Sequence, residues 1–164
     1  RKKIRIRWYG NEKEFVEAPI LEFKIKYGLM GTKLSYPLPS FNVNEYFSKN
    51  FLHNLTSQSN LPEELSNLTK VQYPKLINTY SRTYFQSLNT DIRITIDDCL
   101  SFYDPQKNEF HKNFNLKSNN TILEIKYPKS SDTIVNQITS ALPFRLSKNS
   151  KYVYGINLLS LLID

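Results

Sequence analysis

"RKKIRIRWYG" occupies residues 1–10, and within it Arg1, Lys3, Arg5 and Arg7 share one parity while Ile4, Ile6 and Trp8 share the other. Strict alternation at period two marks a strand with one apolar and one polar face. Cations repeated along one face repel each other unless water or an anion lies between them. Whether this face is a solvated surface or an anion site depends on what the later strands carry.

They carry the same pattern. In "PILEFKIKYG" (residues 19–28), Glu22, Lys24 and Lys26 oppose Leu21, Phe23, Ile25 and Tyr27, and in "NNTILEIKYP" (residues 119–128), Glu124 and Lys126 oppose Leu123, Ile125 and Tyr127. Between them, "NTYSRTYFQS" (78–87) and "DIRITIDD" (91–98) read as a hairpin turned at "LNT". The first two strands pair antiparallel through a polar loop at 11–18, and short strands are expected at Leu100–Tyr103 and Glu109–Phe114. "GLMGTKLSYPLPS" (28–40) reads as a turn and an irregular strand, because Gly28, Gly31, Pro37 and Pro39 punctuate it.

Helical spacing is confined to three places. Residues 42–76 predict two short helices, with Asn60 and Pro62 at the start of the second. "SSDTIVNQITSAL" (130–142) predicts a helix that stops before Pro143, and another starts near Ser147 and carries "KNSKYVYGINLLSLL" (148–162). The expectation is one α+β domain over residues 1–164, dominated by β structure.

Lys and Arg number 22 against 15 Asp and Glu, a net charge of +7, so nucleic acid, acidic lipid and polyphosphates are the partners to weigh. Cys99 is the single cysteine, which excludes an internal disulfide or a cysteine zinc cluster; it fits a small core residue and a reducing, cytoplasmic setting. The longest apolar candidate, Ile156–Ile163, is too short to span a membrane. The chain begins without Met and inside a strand pattern, as expected of a fragment whose natural start lies upstream.

A half-exposed sheet usually mixes Thr, Ser and Gln among its charges. Here Arg5, Arg7, Lys24, Lys26, Arg82, Arg93 and Lys126 recur strand after strand against only Glu22, Glu124, Asp91 and Asp97. The sharper reading closes the strands into an antiparallel barrel with flanking helices outside and a cationic tunnel within. Such a lumen needs hydration or an anion, because unpaired buried cations cost several kcal/mol each. A triphosphate or polyphosphate suits it, with an interior acid such as Glu124 holding a divalent metal that bridges phosphates. Neither a G-x-x-x-x-G-K-[ST] loop nor G-x-G-x-x-G occurs, and His53 and His111 lie in separate segments, so loop-type nucleotide binding and nucleophilic triads lack support. In strands one, two, four and five the aromatics lie mostly opposite the basic face, which counts against RNA.

Taken in order, "KIRIRWYG", "LEFKIKYGLMG", "YSRTYFQS" with "DIRITID", "ILEIKYP" and "RLSKNSKYVYGI" resemble the VTC polyphosphate polymerase domain, of the CYTH or triphosphate tunnel metalloenzyme superfamily. The resemblance implies a closed antiparallel tunnel barrel that moves the terminal phosphate of ATP onto a growing polyphosphate chain with Mn2+ or Mg2+. It makes Arg5, Arg7 and Lys24 phosphate clamps, with Lys26 a further substrate contact; Arg82 and Arg93 grip from the opposite wall, with Tyr80 nearby. It makes Glu124 the metal ligand and Lys126 a further clamp, while Lys148, Ser150 and Lys151 close the site from a helix start. ATP and polyphosphate are the implied partners, in the cytoplasm or at the cytoplasmic face of a membrane through other proteins. Set against that family, the chain is expected to lack the first strands of the domain, its amino-terminal part. Alternatives are a triphosphate hydrolase of the same superfamily and a non-catalytic polyphosphate- or RNA-binding module.

Overall fold

The computed structural model describes residues 2–10, 15–27, 30–42, 47–105, 107 and 116–161. His111 and the strand expected at 109–114 lie outside them. By contacts the chain divides into two compact units, Arg1–Lys75 with Asp104–Phe114, and Leu76–Tyr103 with Asn115–Asp164.

In the first unit, β1 (Lys2–Arg7), β3 (Ile20–Tyr27) and β4 (Met30–Pro37) form an antiparallel sheet in the order β1-β3-β4. β2 (Phe15–Val16) and β5 (Phe41–Asn42) make a separate two-stranded ribbon. β4 is a full eight-residue strand paired with β3 along its whole length, not the irregular segment expected. It is tolerated because β4 is an edge of this sheet and Pro37 is its last residue, where the missing N–H disrupts least.

Leu21 and Phe23 are buried from β3, and Val16 and Phe41 from the ribbon. Trp8 meets Phe41 edge-on at 5.7 Å and stacks on Phe47 at 6.4 Å, while Phe51 sits edge-on to Phe41 and Phe47 at 5.3 and 5.2 Å. Edge-to-face aromatic pairs add to the burial energy, so this cluster anchors α1 (Lys49–Ser57), which carries Phe51. Ser48 caps α1 by accepting the Phe51 N–H at 3.0 Å, and α2 (Glu63–Lys70) follows Pro62 as its sequence predicts.

In the second unit, β6 (Ile77–Gln86) and β7 (Arg93–Tyr103) form a long hairpin, and β8 (Leu116–Ser118) and β9 (Ile122–Lys126) pair successively with β7. A 3₁₀ turn (Lys129–Ser131) leads into α3 (Asp132–Ser140), and α4 (Lys151–Ser160) follows. α4 starts later than the expected Ser147, because Ser150 caps it, its hydroxyl accepting the Val153 N–H at 3.4 Å.

The hairpin register shifts once. Thr79 pairs with Ser101 but Ser81 with Asp98, so Tyr80 alone stands against Cys99 and Leu100. Within this bulge Cys99 takes a left-handed φ of 50°, and its side chain is exposed, which corrects its assignment to the core. Leu100–Tyr103, expected as a separate strand, is therefore the continuation of β7 beyond the bulge. The extra residue reverses the strand's parity. Asp97 and Phe102 would otherwise face opposite sides; here both share the face of Arg82, as their partners Arg82 and Asn78 do on β6.

α4 packs on that face. Tyr154 meets the fully buried Phe102 edge-on at 5.6 Å and accepts a hydrogen bond from Ser118 Oγ at 3.2 Å. A Cβ at Gly155 would come within 2.5 Å of Phe102 Cδ1 and 2.8 Å of Leu76 Cδ2, so glycine is what allows the helix this close. Gly155→Ala should therefore destabilise by about 1–3 kcal/mol through overpacking, although alanine is the better helix former. Thermal unfolding checks this; an unchanged midpoint would mean that α4 does not seat on Phe102.

The architecture is mixed α+β and rich in strands, as expected. Among the described residues the strands form three open sheets, and none of these closes on itself into the expected barrel.

Candidate phosphate-binding faces

Residues paired across strands point to the same side of a sheet, so the registers sort the charges into rows. In the first sheet one row is Lys3, Lys24 and Lys33, the next is Arg5, Glu22 and Ser35, and Arg7 pairs with Ile20 beyond it. Lys26, opposite Gly31, lies on the same face. This brings together the sequence-predicted Arg5, Arg7, Lys24 and Lys26 and adds Lys33, hidden in the stretch read as irregular.

At the centre of this face is Glu22, 3% exposed. Its carboxylate accepts from Arg5 Nε, from Lys33 Nζ at 3.1 Å and from Arg7 Nη1 at 3.4 Å. Burial alone would raise the Glu22 pKa. The hydrogen bonds and charges of Arg5 and Lys33 outweigh it and bring the value down from 4.5 to about 2. One carboxylate thus orders three cations and leaves their charge in excess.

The third sheet repeats the arrangement. Its rows on one face are Arg82, Asp97 and Ile122, then Tyr84, Thr95 and Glu124, then Gln86, Arg93 and Lys126. Asp97, 1% exposed, accepts Arg82 Nε at 2.5 Å and Nη2 at 2.6 Å in a two-point grip, and also accepts Lys151 Nζ from the first residue of α4. The Tyr80 ring lies 5.1 Å from the Arg82 guanidinium carbon and 4.7 Å from Lys151 Nζ, and Tyr84 flanks Arg82 at 5.8 Å. Burial pushes the Asp97 carboxyl up, but Arg82 and Lys151 hold it below the usual range; Asp97 in turn raises Arg82 above its usual value, against burial.

Arg93 and Lys126 stand side by side at the end of the hairpin. With Gln86, Asp91, Tyr127 and Pro128 they line a depression of about 590 Å³. Glu124 is half-exposed and 3.3 Å from Lys126, and beside it the buried Thr95 hydroxyl finds no hydrogen-bond partner among the described residues. Lys148 is exposed before α4, and the Ser150 hydroxyl is engaged in capping.

Among the described residues no three His, Cys, Asp or Glu side chains gather, so they build no all-protein metal cage. A Mg2+-type ion usually takes one or two carboxylates and completes its shell with phosphate and water oxygens. Glu124, with the orphaned Thr95 oxygen on the neighbouring strand, fits that mode. No helix among the described residues is long and apolar enough to cross a membrane.

No curated protein and no solved structure matches the chain. A family model, the VTC domain, matches residues 1–160, nearly end to end and across both units. The chain belongs to the VTC domain family, and its function is polyphosphate-related.

Proposed function

We propose that this chain is a polyphosphate polymerase that transfers the terminal phosphoryl group of ATP to the end of a growing polyphosphate chain. The observation that carries this reading is the gathering of cations around a buried carboxylate on one face of each sheet, Arg5, Arg7 and Lys33 around Glu22 and Arg82 and Lys151 around Asp97, in a chain of this family. Each carboxylate holds more cations than its own charge offsets, and the donors these cations do not use on it suit phosphate oxygens.

In this reading Arg5, Arg7, Lys24 and Lys26 hold phosphates on the first sheet, and Arg82, Arg93, Lys126 and Lys151 hold them on the third, with Tyr80, Lys148 and Ser150 at the margin. An oxygen of the acceptor's terminal phosphate attacks the γ-phosphorus of ATP in line, the bond from that phosphorus to the β-bridging oxygen breaks, and ADP leaves. No protein nucleophile is needed, because positioning and charge neutralisation supply most of what phosphoryl transfer requires. Glu124 would hold Mn2+ or Mg2+ with the Thr95 oxygen beside it; bound there, the ion neutralises phosphate oxygens.

Product analysis tests the reading. Phosphorus NMR of the chain with ATP and Mn2+ should show ADP and the internal-phosphate resonance of long polyphosphate. Orthophosphate as the sole new phosphate would make the chain a hydrolase with water as acceptor.

A further inference from the structure

Asp97 has no place among the phosphate-binding side chains, yet it is the most deeply buried charge on the third sheet's ionic face. Both of its oxygens are engaged by cations from different elements, Arg82 on β6 and Lys151 on α4. A buried carboxylate is expensive and is often replaceable by apolar side chains without loss of stability, so its presence calls for a reason beyond holding the fold together.

The geometry supplies one. A guanidinium has five N–H donors and an ammonium three, so neither Arg82 nor Lys151 exhausts its donors on Asp97. Gripped at two points, the guanidinium plane of Arg82 is fixed, whereas a lone arginine samples many rotamers. The Tyr80 ring backs both cations. The bulge at Cys99 brings Asp97 to the side where α4 lies, and the close approach at Gly155 brings the helix down to it. Three separate features of the unit converge on this one carboxylate.

We infer that Asp97 is a positioning residue, which locks Arg82 and Lys151 into one array so that their remaining donors meet the same phosphate groups together. The inference rests on the phosphate-binding reading of Arg82 given above. It predicts an energetic coupling between Asp97 and Arg82 that a purely structural tie does not produce.

The test is a double-mutant cycle read by calorimetric titration of the full chain with tripolyphosphate at fixed salt. In the wild-type background, Arg82→Ala should weaken binding about tenfold, the worth of a good charge-assisted contact. In the Asp97→Asn background the same change should weaken it about threefold or less, because Arg82 is no longer held. Equal factors in the two backgrounds would overturn the positioning role and leave Asp97 as a tie between helix and sheet. If Asp97→Asn does not fold, Asp97→Glu serves: it keeps the charge but displaces it by a methylene, and the Arg82→Ala factor should fall between the other two. An undiminished factor there overturns the inference. Arg82→Ala without effect in the wild-type background would overturn the phosphate-binding reading, and the positioning role with it, which is a different result from equal non-zero factors.

Discussion

Glu22→Gln should lower the stability of the chain by about 3 kcal/mol at pH 7. The figure follows from the displacement of the Glu22 pKa from 4.5 to about 2, each unit being worth about 1.4 kcal/mol. Breaking a buried ion pair by removing one partner typically costs about as much. The loss is large because Glu22 is the shared counter-ion of Arg5, Arg7 and Lys33, and the variant leaves their charges facing one another. The sign of the pH dependence is fixed. A depressed carboxyl pKa contributes stability that is complete above the unfolded value and is lost as the pH falls through the folded one. The gap between wild type and Glu22→Gln, measured by denaturant titration, should therefore be full at pH 6 and close between about pH 5 and pH 2. A gap that stayed constant through that window would show that the Glu22 charge is not what stabilises the first sheet.

Glu124→Gln should do the reverse, sparing the fold and removing the activity. Glu124 is about half-exposed, and its ion pair with Lys126 is also exposed. Surface pairs of this kind contribute between nothing and about 1 kcal/mol, so the thermal midpoint should hardly move. If the carboxylate holds the divalent ion, phosphoryl transfer should fall about 100-fold or more, since that ion supplies several kcal/mol of transition-state stabilisation. Tripolyphosphate binding without metal should be unchanged or slightly tighter, because one negative charge has left a basic face. An unaffected rate would remove Glu124 from the metal site.

Much of this was legible in the sequence, for a physical reason. Period-two alternation in "KKIRIR", "LEFKIK" and "LEIK" reports directly which side chains share a face, and the registers put Arg5, Arg7, Lys24 and Lys26 together, and Arg82, Arg93 and Lys126 together, as that alternation implies. The role of Ser150 was legible only in part: its position before an apolar helix marks a cap, and its hydroxyl is used there. Lys33 was missed although Lys33 and Ser35 alternate with Leu34 and Tyr36, because Gly31 and Pro37 suggested broken structure where an edge strand tolerates both. The bulge had no signal, since a cysteine in the left-handed region carries no mark that glycine would have left. The organising roles of Glu22 and Asp97 depend on partners up to 54 positions away, which single-strand periodicity cannot report.

The central claim is that the charged rows exist to hold phosphate. A crystal structure with a non-hydrolysable triphosphate analogue and Mn2+ tests it most directly. Phosphate oxygens should lie on Arg5, Arg7 and Lys24 or on Arg82, Arg93 and Lys126, with Mn2+ on Glu124. Both ionic faces open to bulk water, with the analogue bound elsewhere, would contradict it.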